Sequence, residues 1–136
     1  MVLEDERTLA FLDNRPLFPG HSLLVPREHV ETLSDLPDDL LPELFGNARL
    51  LAQAMEEGLE AEGSFVALNN RVSQSVPHLH VHVVPRRRKD GLRGFFWPRH
   101  KYEDDAHAAE TQLALKNAIG RLRRAEGGAA SATANR

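Results

Sequence analysis

The chain contains a short run in which polar and apolar side chains alternate without a break, His78-Leu79-His80-Val81-His82. Successive side chains of a β-strand point to opposite faces of the sheet. The run therefore predicts a strand over residues 78–84 with three imidazoles on one face and apolar side chains on the other. We expect the apolar face to pack beneath a helix and the histidine face to look into a cleft, because buried imidazoles without partners are costly.

Other patterns along the chain predict an α+β fold. Apolar runs bounded by Asn, Asp, Pro and Gly predict strands at residues 8–12, 21–25, 64–68 and 91–97. Apolar residues at steps of three and four predict a long helix that starts near Pro37 and stops before Gly63, and a second helix is expected over residues 103–124. Strands interspersed with two helices favour a mainly antiparallel sheet with the helices on one face.

Length and composition fit one folded domain. The chain has 136 residues, of which 41% are hydrophobic and 27% are charged, and it has no cysteine. We expect a single domain over residues 1–126 and a disordered tail over residues 127–136, which is small, polar and without an apolar anchor. Disulfides and cysteine-based zinc sites are excluded. An acidic start and the lack of an apolar span of ~20 residues predict a cytoplasmic protein without membrane contact.

The charges are unevenly distributed, although the net charge is only −3. Between Arg86 and Lys101 there are seven basic residues and one acidic residue, Asp90. This basic segment could draw anionic substrates toward the nearby histidine run. A solvated basic loop explains the same residues, and both interpretations stay open. We expect no nucleic-acid partner.

Three interpretations of the histidine run compete. The first is a chance arrangement of polar side chains on an exposed sheet face. The second is a zinc site, in which two of the histidines share an ion with a further ligand such as His21 or His100. All three reaching one ion would need a bulge, because the outer two lie about 13 Å apart along a flat strand. The third is nucleophilic and acid–base catalysis on phosphate, which the flanking residues favour.

Two flanking segments are specific. The stretch from Gln74 to Arg86, with the histidine run at its centre, resembles the signature of the histidine-triad (HIT) family. The stretch from Phe11 to His29 resembles the family as well, through Phe11-Leu12-Asp13, Pro16 and the run that begins at Pro19-Gly20-His21. The resemblance extends through the long helix and covers roughly residues 5–90.

The resemblance implies a five-stranded antiparallel sheet with one long helix packed on it and a C-terminal helix. It also implies a homodimer in which two sheets join. The implied activity is cleavage at the α-phosphate of a purine nucleotide conjugate through a covalent nucleotidyl-histidine intermediate, with no metal or other cofactor. Pro85-Arg86 resembles the fragile-histidine-triad branch, which acts on dinucleoside polyphosphates, whereas the position of Asp13 resembles the phosphoramidase branch.

The resemblance also implies roles for individual residues. His80 would be the nucleophile, His78 and His21 would orient it, and His82 would lie beside the scissile phosphate. The implied substrate contacts are Gln74 and Ser75 to phosphate or leaving group and Asp13 to the ribose hydroxyls. An asparagine is also implied to contact phosphate, and both Asn69 and Asn70 are candidates, of which Asn69 is preferred. Three residues also have a purely structural interpretation. Asp13 could bond only its local turn, His21 could be a core histidine, and Trp97 could be a packing residue. A nucleotide-binding or scaffold protein with vestigial turnover is the alternative function, and a histidine-ligated zinc hydrolase is a further one.

Overall fold

The structure, a computed structural model, describes residues 1–93 and 98–134, with side chains up to residue 128. Its Cα packing divides the chain into a unit of residues 1–92 and a second unit that begins at Arg93. Among the described residues, no helix is both long and apolar enough to cross a membrane. The single domain over residues 1–126 stays a prediction.

The first unit is built around a five-stranded antiparallel sheet. Its strands lie in the order β1-β2-β3-β5-β4 and comprise β1 (Leu3–Glu4), β2 (Thr8–Leu12), β3 (Ser22–Pro26), β4 (Gly63–Ala67) and β5 (Val81–Arg86). Strands β2 and β3 form a hairpin that pairs Thr8 with Pro26 and Leu12 with Ser22. The predicted α+β class and five-stranded antiparallel sheet are confirmed.

Two strands differ from the sequence prediction. Strand β5 begins at Val81, so His78 and His80 lie in the segment that leads into it. There the N–H of Leu79 donates to the carbonyl of Val30 at 2.6 Å, which ties this segment to the chain after β3. The fifth strand is β1, which pairs with β2, and not residues 91–97. Residues 91–93 are not in a strand, and residues 94–97 lie outside the described residues.

Helix α1 (Leu41–Leu59) packs on β3, β4 and β5. A short 3-10 turn, Asp38–Leu40, precedes it and accounts for the earlier start predicted from the sequence. The buried side chains of α1 recur at steps of three and four and include Leu44, Ala48, Leu51 and Met55. The helix ends where Glu60 adopts a left-handed conformation, with φ of 56°, and Gly63 instead begins β4.

Helix α2 (Asp105–Ala134) belongs to the second unit. It is longer than the predicted helix over residues 103–124, and the disordered tail predicted over residues 127–136 stays a prediction. Residues 135 and 136 lie outside the described residues.

Candidate active site

The three histidines of the run face one cavity, although only His82 lies within β5. Leu79, Val81 and Val83 between and after them are fully buried in the core. The alternation therefore separates imidazoles from core side chains as predicted, even where the segment is not paired as a strand. The cavity has a volume of about 410 Å³ and is lined by Phe11, Asp13, Leu23, Val25, Ser75, Val76, His78, His80 and His82.

His80 is held by the backbone next to it. Its Nδ1 lies 2.7 Å from the carbonyl oxygen of His78. A carbonyl oxygen only accepts hydrogen bonds, so Nδ1 must bear the proton and donate it. In the neutral imidazole the lone pair is then on Nε2, which has no hydrogen-bond partner among the described residues. This is the tautomer that a nucleophilic imidazole requires.

His21 and His82 form a second hydrogen-bonded unit beside His80. The N–H of Leu17 donates to Nδ1 of His21 at 3.1 Å, so the proton of a neutral His21 is on Nε2. That Nε2 lies 3.0 Å from Nδ1 of His82 and donates to it. The proton of His82 is therefore on its own Nε2. The rings of His82 and His80 have their centroids 5.1 Å apart, so the two imidazoles are neighbours in the lining of the cavity.

The surroundings of the same pair lower the pKa of both imidazoles. Burial lowers the pKa of His21 below its usual value of 6.5, and the nearby Asp13 carboxylate opposes this only in part. Burial also lowers the pKa of His82, and the charges that His80 and His21 would carry lower it further. Both imidazoles therefore take up a proton at lower pH than an exposed histidine does.

We expect the free energy of unfolding to fall as the pH is lowered from 7 through 5. The unfolded chain binds protons at His21 and His82 near pH 6.5, whereas the folded protein binds them only at lower pH, so acid favours the unfolded state. Above pH 6.5 both states are neutral and this stability is fully present. Denaturant titrations at pH 7 and pH 5 check this, and the decrease should be smaller in His21→Gln. An equal decrease in both proteins would contradict it.

His78 is turned toward the chain after β3. Its Nε2 lies 2.9 Å from the carbonyl oxygen of Pro26 and donates to it, while its ring stacks on the exposed His29 with centroids 5.7 Å apart. His78 thus supplies the carbonyl that binds His80 and is itself anchored to β3. These contacts fit a supporting role.

Asp13 lies at the loop end of the β2–β3 hairpin, where its N–H donates to the carbonyl of His21 at 2.9 Å. This backbone pair places Asp13, which lines the cavity, beside His21, which does not. One carboxylate oxygen accepts a hydrogen bond from the N–H of Arg15 at 2.9 Å, and the other lies 3.7 Å from Nε2 of His21. The local turn is therefore present, and one oxygen is left at the cavity for a ligand.

A scan of family models matches the HIT domain over residues 1–89, which is most of the unit that holds these histidines. The chain belongs to the HIT family.

Three curated HIT-type relatives differ in name and length. The chain is 36% identical over 101 residues to "Protein hit" of Bacillus subtilis, covering 73% of this chain and 70% of that protein. It is 37% identical over 83 residues to a Schizosaccharomyces pombe bis(5'-nucleosyl)-tetraphosphatase, covering 60% and 46%. It is 33% identical over 105 residues to adenosine 5'-monophosphoramidase HNT1 of Saccharomyces cerevisiae, covering 76% and 65%.

The chain thus spans less than two thirds of the two relatives that are named as enzymes. Among solved structures, it resembles a zinc-bound histidine triad family protein from Mycobacterium smegmatis with a TM-score of 0.64 and 35% identity, covering 83% of this chain and 86% of that one. The likeness confirms the HIT fold.

The zinc in that HIT structure directs attention to one cluster here. Asp13, His21 and His82 each offer a ligand atom, all within 4.8 Å of one another, a spacing that a metal ion can bridge. The hydrogen bonds oppose this use. Nε2 of His21 bears a proton as long as Nδ1 accepts from Leu17, and a metal needs an unprotonated nitrogen. The cluster therefore fits a hydrogen-bonded histidine pair better than a metal site.

The remaining predicted site residues lie in the loop before the histidine run, and only one of them reaches the cavity. Ser75 lines the cavity, whereas Gln74 and Asn69 do not. The amide of Gln74 is bonded to Arg71 and Glu31, and the amide of Asn69 donates to the carbonyl of Ser73 at 3.2 Å. Substrate contact by Gln74 or Asn69 stays a prediction.

Sequence reasoning missed the apolar wall of the cavity. Phe11, Leu23 and Val25 line it from β2 and β3, and Val76 lines it from the loop. The available signal was the alternation within the hairpin, since Phe11 is two residues before Asp13, and Leu23 and Val25 flank the fully buried Leu24. Apolar side chains on the outward face of a sheet indicate a ligand surface.

Three arginines of the basic segment, Arg86, Arg87 and Arg88, bind groups near them in the first unit. Arg86 binds Asp90 through Nε at 2.7 Å, Arg88 lies 3.8 Å from Glu62, and Arg87 donates to the carbonyl of Leu59. None of these three arginines is among the residues that line the cavity. The part of this segment at residues 94–97, which includes Trp97, lies outside the described residues.

Proposed function

We propose that this HIT-family chain is a nucleotide hydrolase or transferase that cleaves a purine nucleotide conjugate at its α-phosphate through a covalent bond to His80. The observation that carries the proposal is the hydrogen bond from Nδ1 of His80 to the carbonyl of His78. It leaves the Nε2 lone pair of a cavity-lining imidazole as the only free nucleophilic nitrogen of that ring.

The first step of the proposed reaction forms a P–N bond. Nε2 of His80 attacks the α-phosphorus, and the bond to the leaving group breaks. The leaving group takes that electron pair and a proton from water. The Nε2–H of His82 donates to the phosphoryl oxygens, where negative charge accumulates, and His21 fixes this orientation.

The second step regenerates the free enzyme. A water oxygen attacks the same phosphorus, the P–N bond breaks with its electron pair returning to Nε2, and the water's proton is lost to solvent. The products are a nucleoside monophosphate and free His80. The chemistry needs only imidazoles of this chain, and we propose that no metal is required.

The rest of the cavity fits the other parts of a nucleotide. We propose that the free oxygen of Asp13 accepts hydrogen bonds from the ribose hydroxyls and that Phe11, Leu23 and Val25 contact the base. Ser75 would donate to the phosphate or the leaving group. The names of two relatives, a bis(5'-nucleosyl)-tetraphosphatase and an adenosine 5'-monophosphoramidase, support the two substrate classes implied by the sequence.

Turnover of an adenosine phosphoramidate and of diadenosine triphosphate, both in chelator, tests the proposal. We expect the protein to release AMP, and the faster substrate indicates the leaving group. Binding of AMP without turnover of either compound would favour the alternative of a nucleotide-binding or scaffold protein.

A zinc hydrolase is the second candidate, favoured by the cluster of Asp13, His21 and His82 and by the zinc-bound relative. It predicts that chelator removes activity and that zinc restores it. Because the tautomer of His21 opposes metal binding, we expect chelator to leave the rate unchanged.

We expect Asp13→Ala to weaken AMP binding about tenfold, since a hydrogen bond to a charged group contributes ~1.5 kcal/mol or more. The variant should also lose the preference of wild type for AMP over 2'-deoxy-AMP, which calorimetry or competition assays measure. Asp13→Asn retains an oxygen for Arg15 and so controls for the local turn. A full preference for the ribose form in Asp13→Ala would exclude the proposed ribose contact.

We also propose that the chain forms a homodimer. Strand β4 lies at an edge of the sheet, where it pairs only with β5, and Val66 on this strand is 45% exposed. An open edge with an apolar side chain is available for pairing with a second sheet. A monomeric mass at micromolar concentration in light scattering would count against this. A cytoplasmic location stays a prediction.

A further inference from the structure

The loop over residues 69–76 brings Ser75 and Val76 to the cavity, and it is bound on its other side to the chain after β3. We propose that Asn70 and Gln74 are positioning residues. Their side-chain amides, which we call the amide lock, hold this loop in the conformation that catalysis requires. The inference rests on the proposed function, and it assigns Gln74 a role different from the direct phosphate contact that the resemblance implies.

Gln74 uses both ends of its amide. Its Oε1 accepts from the N–H of Arg71 at 2.8 Å, and its Nε2 donates to the carbonyl of Glu31 at 2.6 Å. The orientation is unambiguous, because a backbone N–H needs an acceptor and a carbonyl needs a donor. Among residues 69–77, all of them described, Gln74 alone is partly buried. The side chain is therefore turned into the protein and away from the cavity.

Asn70 makes the matching bond. Its Oδ1 accepts from the N–H of Leu33 at 2.8 Å. The two amides thus bind backbone groups two residues apart, the carbonyl of Glu31 and the N–H of Leu33. The receiving segment is itself rigid, since Thr32 is buried and bonded to Asp35 through both its N–H and its hydroxyl. The hydrogen bond from the Thr32 hydroxyl lowers the pKa of Asp35, and the charge of Arg71 lowers it further.

The backbone of the loop explains why such a lock is needed. Arg71 and Ser73 have positive φ values of 68° and 60°, a region that side chains other than glycine, asparagine and aspartate rarely adopt. Strained residues persist only where the surroundings determine them. Gln74 bridges this stretch, accepting from the N–H of Arg71 and lying directly after Ser73. Without the lock, we expect the loop to relax and to displace Ser75.

The test compares single variants with the double variant. We expect Asn70→Ala and Gln74→Ala each to lower kcat about tenfold, because small misplacements of an active-site group have effects of this size. The double variant should be little worse than either single variant, since both act by releasing one loop. Affinity for AMP should change less than kcat. Val72→Ala is the matched control, because this side chain is 81% exposed in the same loop.

Isosteric variants show whether the donor or the acceptor atom of each amide is needed. Asn70→Asp keeps an oxygen for the N–H of Leu33 and should retain most activity. Gln74→Glu keeps an acceptor for Arg71 but places an oxygen against the carbonyl of Glu31, so it should be as impaired as Gln74→Ala. Full activity in Asn70→Ala would overturn the amide lock.

Hydrogen exchange of the protein without nucleotide gives a readout independent of turnover. We expect the amides of residues 69–76 to exchange faster in Asn70→Ala and Gln74→Ala than in wild type. Unchanged exchange with a lowered kcat in Gln74→Ala would identify a direct substrate contact and overturn the lock. A wild type that hydrolyses neither compound overturns the proposed function instead, and exchange then still decides whether the lock exists.

Discussion

Replacing His80 with alanine is expected to lower kcat by roughly 10⁴-fold or more, because removal of a covalent nucleophile costs more than removal of any supporting group. The expectation rests on the free Nε2 of His80, which the bond from Nδ1 to the carbonyl of His78 leaves available in the cavity. Steady-state release of AMP from diadenosine triphosphate or an adenosine phosphoramidate measures the effect.

His107→Ala is a matched control for this variant. His107 lies in the second unit, where its ring contacts Tyr102 and its Nδ1 accepts from the N–H of Glu103. It should retain a kcat within about twofold of wild type. The His80 variant should still bind AMP and unfold at a similar denaturant concentration, so that its loss reflects chemistry. A His80→Ala protein with more than a tenth of the wild-type rate would exclude His80 as nucleophile.

Replacing His21 with alanine is expected to lower kcat by about 10- to 100-fold, although His21 does not line the cavity. Its Nε2–H donates to Nδ1 of His82 and so selects the tautomer in which His82 presents Nε2–H to the substrate. Without this donor, His82 is free to take the other tautomer or a proton. The loss should be greater in kcat than in affinity for AMP.

His21→Gln provides the sharper comparison. The glutamine amide nitrogen occupies nearly the position of Nε2 and can donate to His82, so this variant should recover much of the activity lost in His21→Ala. The pH profile is a second readout. Because the neighbouring His21 helps to lower the pKa of His82, removing it should raise that pKa, and His21→Ala should lose activity at higher pH than wild type. Identical rates in the two variants would indicate a packing role for His21.

Much of the fold followed from sequence patterns with short-range causes. The hairpin of β2 and β3 lies between clear turn signals, and the spacing of Leu44, Ala48, Leu51 and Met55 predicted the buried face of α1. The alternation around His80 predicted which side chains share the cavity. These features depend on periodicity within one segment.

The features that sequence could not supply depend on contacts between distant segments. The two-residue strand β1 exists only because Leu3 pairs with Ala10, and no local pattern marks it. Strand β5 begins just after the hydrogen bond between Leu79 and Val30, and the alternation of side chains along one segment cannot reveal a bond between two segments. The amides of Gln74 and Asn69 are suited to contact phosphate. Where they lie in the structure depends on the backbone groups near them, and neither residue type nor distance from the histidine run determines those groups.

The covalent intermediate is the central claim, and the stereochemical course at phosphorus tests it most directly. A nucleotide conjugate made chiral at its α-phosphorus by sulfur substitution would be hydrolysed in water enriched in oxygen-18. Each in-line displacement inverts phosphorus, so attack by His80 followed by attack by water predicts net retention. Net inversion would show that water attacks the substrate directly and would contradict the account.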